Sequence, residues 1–248
     1  MTLASISVIR LSYTFERSKT LALRDINAEI YPGKITGLVG PDGAGKTTLM
    51  RLMSSLLLPS EGEVTTCGYD TQREPIKVRE RIGYMPQRFG LYEDLSVIEN
   101  LRLYAELRAV FGREREETFE RLLDFTDLKR FASRLAGRLS GGMKQKLGLA
   151  CALIRKPQVL LLDEPSVGVD PISRRELWRM VRELADDKMA VVWSTAYLDE
   201  AEQCDEVMLL NEGKLLFSGT PKELTSRVEG RVVQVRGVQV EAKRPTLA

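Results

Sequence analysis

Lys34-Ile35-Thr36-Gly37-Leu38-Val39-Gly40-Pro41-Asp42-Gly43-Ala44-Gly45-Lys46-Thr47-Thr48-Leu49-Met50-Arg51-Leu52-Met53 is the stretch on which the fold turns. The segment up to Val39 reads as a strand, and Thr48 to Met53 has helical character. Between them, Gly40 to Thr48 matches the pattern G-x-x-x-x-G-K-[ST]. Its glycines let backbone N–H groups turn inward around a phosphate, and the N-terminus of the next helix adds partial positive charge. Lys46 is suited to reach the β- and γ-phosphates of a nucleotide, and the Thr47 hydroxyl to ligate Mg²⁺. Asp42 is the odd member. A carboxylate beside phosphates is unfavourable, so it is expected to turn away.

Working outward, Ile6, Val8 and Leu11 read as one strand and Leu21 to Ile30 as another, closed by Pro32-Gly33. Ser96-Val97-Ile98-Glu99 has the form of a capping box. The helix after it is expected to end at Gly112, with further helices over Glu114 to Phe125 and Leu128 to Arg138. A helical insertion therefore starts near Phe89. Its own helices reach Arg138, and with the helix that follows it runs to about residue 155. Val159-Leu160-Leu161-Leu162 is a continuous apolar run typical of a central parallel strand, and Ala190 to Trp193 and Glu206 to Leu210 repeat it. Alternating strands and helices of this kind predict an α/β fold with a mostly parallel sheet. After Pro221 the chain changes character. Arg231 to Val240 alternates apolar and polar residues before a polar tail, and 221–248 reads as a C-terminal extension or linker.

Composition narrows the chemistry. In 248 residues, Lys+Arg is 37 and Asp+Glu is 35, a net charge of +2, so no global basic field favours nucleic acid. Histidine is absent, which excludes an in-chain Ser-His-Asp triad, a Cys-His pair and imidazole metal ligands. Cys67, Cys151 and Cys204 are far apart and form no C-x-x-C, so they read as reduced core cysteines. The first residues lack the pattern of a signal peptide, and no apolar run reaches the ~18 residues of a membrane span. Any membrane role must come through a partner.

Two further segments carry chemistry. Leu162-Asp163-Glu164-Pro165 places two carboxylates at the C-terminal edge of an apolar strand, where open α/β sheets bind ligands. Beside a P-loop, Asp163 would hold Mg²⁺ through water and Glu164 would act as general base. Leu139-Ser140-Gly141-Gly142-Met143-Lys144-Gln145 opens a helix with a hydroxyl and free N–H donors, a second anion cradle. One nucleotide rarely needs two cradles in one chain, which suggests a nucleotide shared between two subunits.

With Gln87 in Tyr84-Met85-Pro86-Gln87 and Ser166-Val167-Gly168-Val169-Asp170, these segments resemble the ATP-binding cassette (ABC) ATPases over about Ile6 to Gly219. The resemblance implies a P-loop NTPase core, an N-terminal antiparallel β subdomain and an α-helical insertion, with residues 1–220 as the ATPase domain. It implies ATP and Mg²⁺ as cofactors, with Gly40, Pro41, Asp42, Gly43, Ala44, Gly45, Lys46, Thr47 and Thr48 around the phosphates. Thr47, Gln87 and Asp163 would serve the metal, and Glu164 with Gln87 the attacking water. Ser140 and Gly142 would contact the γ-phosphate of ATP held by a second cassette, Gly141 and Gln145 would belong to the same nucleotide-binding segment, and Asp170 would cross the dimer seam. An aromatic near the N-terminus is expected to stack on adenine; Phe15 is the better placed and Tyr13 the alternative.

The sequence departs from the family at Ser194-Thr195-Ala196-Tyr197, where Ala196 stands in place of a switch histidine. The implied site is therefore degenerate for hydrolysis while competent to bind. Tyr197-Leu198-Asp199-Glu200-Ala201-Glu202 and Gly90 to Leu95 resemble the ATPases of ABC-2-type exporters, and the C-terminal end fits the N-terminal half of a fused tandem-cassette efflux ATPase. That resemblance implies a membrane-spanning ABC-2-type permease and a second cassette as partners, no nucleic acid, and a peripheral place on the cytoplasmic face of the membrane. Phe89, Leu91 and Tyr92 are the expected permease contacts, burial under the insertion being the alternative. A soluble ABC ATPase of translation or repair, and a non-hydrolysing ATP-binding module, stay open as other readings.

Overall fold

A computed structural model describes residues 3–87, 90–186 and 189–226. The chain opens with β1 (Ile6–Phe15) and β2 (Thr20–Ile30), followed by β3 (Ile35–Val39) and α1 (Lys46–Met53). Next come β4 (Glu61–Thr66), β5 (Tyr69–Asp70), α2 (Pro75–Arg81) and β6 (Ile82–Met85). The insertion carries α3 (Val97–Leu107) and α4 (Gly112–Phe125) and leads into α5 (Gly141–Ala152). The core resumes with β7 (Val159–Leu162), α6 (Pro171–Asp186), β8 (Ala190–Thr195) and α7 (Leu198–Ala201). It closes with the pair β9 (Glu206–Asn211) and β10 (Lys214–Gly219), then α8 (Pro221–Ser226).

Two sheets result. The antiparallel one has the order β2-β1-β4-β5, and the larger one β10-β9-β3-β8-β7-β6. Strands β9, β3, β8, β7 and β6 run parallel, and β10 adds an antiparallel edge. Every residue of β3, β7 and β8 is buried, as expected of parallel strands covered on both faces. The two-residue period of a strand divides them between two cores. Leu160, Leu162, Val191 and Trp193 face the helical insertion, α5 and α6. Val159, Leu161, Val192 and Leu38 face α1 and the antiparallel sheet.

The capping box is present: Ser96 Oγ accepts from Glu99 N at 3.3 Å, and Ser96 N donates to Glu99 Oε2 at 2.8 Å. Two boundaries differ from the sequence reading. Gly112 does not end α3 but begins α4, because α3 stops at Leu107 and Ala109 turns left-handed at φ 54. Leu128 to Arg138 is not a helix but holds 3₁₀ turns at Lys129–Phe131 and Ala136–Arg138. Its carbonyls are needed elsewhere: Arg134 O and Ala132 O accept the first N–H groups of α3 from Val97 and Ile98, donors that a helix start leaves without intrahelical partners. Cys151 and Cys204 are buried and Cys67 half-buried, all free. Burial pushes the Cys204 thiol up to about 12. Phe89 and the alternating segment Arg231 to Val240 lie outside the described residues.

Candidate functional site

The C-terminal ends of β3, β7 and β8 converge at one place, where a doubly covered parallel sheet leaves a crevice. The turn after β3 is shaped by Gly45, the N-cap of α1, which stands at φ 106. A Cβ there would lie 2.8 Å from Leu23 Cδ2, so both backbone and space require glycine. The β9–β10 turn braces this loop: Gly213 N donates to Ala44 O at 3.1 Å, and Arg24 N donates to Gly213 O at 2.8 Å.

Lys46 is buried, and its Nζ lies 2.8 Å from Gly40 O, 3.1 Å from Pro41 O and 3.1 Å from Glu164 Oε1. Three donors thus meet three acceptors, and an incoming phosphate would take the place of one or more. Gln87 Nε2 donates to Glu164 Oε2 at 2.7 Å. Glu164 itself stands in the left-handed region at φ 50, a backbone strain of the kind concentrated at active sites.

The neighbouring carboxylate is held as closely. Thr47 Oγ1 donates to Asp163 Oδ1 at 3.1 Å, and Ser194 Oγ donates to the same oxygen at 2.8 Å. Ser194 Oγ also accepts from Glu164 N at 2.8 Å. Tyr84 approaches Asp163 Oδ2 at 3.4 Å, and burial, helped by that charge, pushes its phenol up to about 12. Ser194 carried no signal in sequence beyond being a polar residue at the end of an apolar strand. It nonetheless joins β8 to the Asp163 carboxylate and to the backbone N–H of Glu164.

A cleft of 610 Å³ runs along this network. Phe15, Asp42, Gly43, Ala44, Gly45, Lys46, Thr47, Thr48, Gln87 and Glu164 line it, together with Thr20, Leu21, Ala22, Arg24, Glu212 and Gly213. The last six were not anticipated. They come from the start of β2 and from the β9–β10 turn, which only the tertiary fold brings to the P-loop. Phe15 reaches the cleft, packed edge-on against Tyr13 at 5.0 Å, whereas Tyr13 turns toward the core beneath. Asp42 is among the residues along the cleft wall and is exposed, where water screens its charge. The hydroxyl, amide and carboxylate oxygens of Thr47, Gln87 and Asp163 are hard donors. They suit Mg²⁺, which keeps waters and phosphate oxygens and needs few protein ligands.

The signature segment stands outside this cleft. Ser140 caps α5, accepting from Met143 N at 3.3 Å, and Ser140 and Gly141 are exposed. Gln145, one turn on, points inward and is buried with its Oε1 lacking a hydrogen-bond partner. Asp170 is exposed and caps α6, accepting from Ile172 N and Ser173 N at 3.0 Å each. Hydrogen bonds from Ser173 hold its carboxyl below the ordinary range.

Residues 23–167 match the family described as ABC transporter. The chain belongs to this family. Its ABC cassette is 61% identical over 210 residues to a probable multidrug ABC transporter ATP-binding protein, YbhF, of Escherichia coli, covering 85% of this chain and 36% of that protein. It is 38% identical to the daunorubicin resistance ATP-binding protein DrrA3 of Streptomyces coeruleorubidus, covering 86% of this chain and 68% of that one. Among solved structures, the ATP-binding subunit of an ABC transporter superposes with a TM-score of 0.79 at 30% identity, covering 90% of this chain and 92% of that one. A dimeric cassette bound to ADP and phosphate superposes at 0.78 with 26% identity, covering 87% and 98%. ABC cassettes bind ATP and are ATPases. No helix among the described residues is long and apolar enough to cross a membrane.

Proposed function

We propose that this cassette powers an exporter of drug-like or amphiphilic compounds, working with a membrane-spanning ABC-2-type permease and a second cassette on the cytoplasmic face of the membrane. The observation that carries the pairing is the separation of two anion cradles. The P-loop, Gln87 and Glu164 line one cleft, with Asp163 bonded to Thr47 beside it, while the exposed cap at Ser140 and Gly141 takes no part in its lining. The multidrug and daunorubicin-resistance names of the relatives support export. The chain spans 36% of the length of the 61%-identical relative. Leu91 and the exposed Tyr92 remain the suggested permease contacts; Asn100, fully buried, anchors their loop by bonds to Tyr92 N and O at 2.9 and 3.0 Å. Residues 221–226 form the start of the suggested extension.

In this reading Phe15 stacks on the base. Lys46 and the N–H groups of Gly43 to Thr48 bind the phosphates. Thr47 and Asp163 hold Mg²⁺, with Gln87 beside it, and that ion would neutralise phosphate charge. Glu164 takes the proton of the attacking water, held in place by Ser194 and Gln87. Ala196 offers no hydrogen bond to the γ-phosphate, so this cleft binds ATP well and turns it over slowly. Ser140 and Gly142 serve the partner's ATP. Ala196 also favours a second reading, in which the cassette is a regulatory ATP-binding module. Steady-state phosphate release separates the two: slow release abolished by Glu164→Gln fits the first, and none above background fits the second.

A further inference from the structure

Ala196 follows β8 with no group to reach a nucleotide, yet the segment around it is firmly tied. Tyr197 N donates to Thr195 Oγ1 at 3.0 Å, and Trp193 Nε1 donates to Glu200 Oε2 at 3.0 Å. Glu200 is only 2% exposed, and a buried carboxylate must be paired. The charge facing it is Arg174 of α6, whose Nε stands 3.7 Å from Glu200 Oε1 and whose guanidinium lies 5.2 Å from the Tyr197 ring centre. Both Arg174 Nε and Glu200 Oε1 are buried without a hydrogen bond. The pair is close enough to attract and slightly too far to bond. A cavity of 280 Å³ beside it leaves room for α6 to approach.

Arg174 belongs to the first turn of α6, its N–H donating to Asp170 O at 2.9 Å. That turn also abuts the signature helix: a Cβ on Gly142 would stand 2.3 Å from Ser173 Oγ. At its other end the tied segment begins with Ser194, which bonds Asp163 and the N–H of Glu164. Side chains therefore connect the carboxylate pair of the cleft to the turn that carries Asp170.

We propose that Arg174 is a positioning residue that latches the segment from Ser194 to Glu200 onto the first turn of α6, through Glu200 and Tyr197. Ser194 and Thr195 are fixed by β3 and the P-loop, Gly40 N donating to Thr195 O at 3.2 Å; the place of the rest of the segment, Tyr197 to Glu200, is then set from the signature side of the cassette and not by the nucleotide in its own cleft. The second half of this statement rests on the reading that Ala196 makes no γ-phosphate contact. The latch stands where a histidine contact would otherwise hold the segment.

Hydrogen–deuterium exchange of residues 197–201 reads the latch, and tryptophan emission supports it, since the chain's two tryptophans are both at this place. Trp178 of α6 meets Trp193 of β8 edge-on with centroids 4.8 Å apart. In the unmodified chain, saturating Mg-ATP protects the P-loop and leaves exchange of 197–201 unchanged. Arg174→Ala raises exchange there about tenfold with or without Mg-ATP, as local opening without a global change does. Tryptophan emission shifts to the red, and calorimetry finds ATP affinity unaltered. Arg174→Lys, which keeps a charge facing Glu200, falls between. Wild-type exchange in Arg174→Ala overturns the latch, and so does a rise that extends equally to β3 and β7. Protection of 197–201 by Mg-ATP in the unmodified chain overturns instead the reading of Ala196, whatever Arg174→Ala does.

Discussion

Lys46 shows how one residue can be both buried and available. Its ammonium is satisfied by two loop carbonyls and Glu164, so binding exchanges these partners for phosphate oxygens at little desolvation cost. Charge-assisted contacts of this kind are about twice as strong as neutral ones. Lys46→Ala should therefore lose tight Mg-ATP binding, by about tenfold or more in affinity; an unchanged calorimetric affinity would contradict the P-loop assignment. Ala196 makes the opposite case, a missing donor. One transition-state donor is worth about 10²–10³ in rate. Ala196→His should raise kcat with little change in ATP affinity, and adding Glu164→Gln should remove the gain. Phosphate release at saturating Mg-ATP decides; rapid turnover by the unmodified chain, with no response to Ala196→His, would refute the degenerate site.

At the scale of elements, the start of α3 is held by local and distant bonds together. Ser96 is buried, caps the helix and exchanges hydrogen bonds with Glu99, while carbonyls from the 3₁₀ segment meet the first N–H groups. Ser96→Ala should cost about 1 kcal/mol in denaturant unfolding. Bonds from Ser96 also lower the Glu99 carboxyl below its ordinary value. A lowered folded-state value means stability present above the unfolded carboxylate range and lost as pH falls through the folded value. The difference between the unmodified chain and Ser96→Ala should thus shrink in acid, and a gap independent of pH would exclude Glu99 as its source. What could be read in advance follows the same division. Val159–Leu162 and Ala190–Trp193 announce themselves because central strands need only apolar side chains. β4 buries only Val64 and Thr66 along its length and depends on pairing with β1, so its own residues hardly mark it. The contiguous site motifs were legible for the reason that phosphate chemistry dictates them locally. Ser194, Arg24 and Glu212 were not, because each acquires its role from strands and turns far away in sequence.

On the scale of the whole molecule, the cleft and the exposed α5 cap are separate, and the proposed function makes each one half of a shared site. Closure of a nucleotide sandwich needs ATP as a bridge, so the chain should be monomeric without nucleotide and pair with Mg-ATP. Light scattering tests this, and a stable nucleotide-free dimer with buried signature segments would count against it. The sharper test uses Ser140. Its hydroxyl caps α5 and its backbone is exposed, yet it does not line this chain's own cleft. Ser140→Arg should therefore leave calorimetric ATP affinity of the chain intact, apart from the ~1 kcal/mol of fold stability lost with the cap. A long, hydrated cation held at that cap would stand in the way of the facing cassette, so Mg-ATP should no longer drive pairing and the assembled transporter should lose activity. The two readouts divide the half-sites cleanly. Should Ser140→Arg instead abolish ATP binding by the single chain, both cradles would serve one nucleotide, and the case for a shared site would fall with that result.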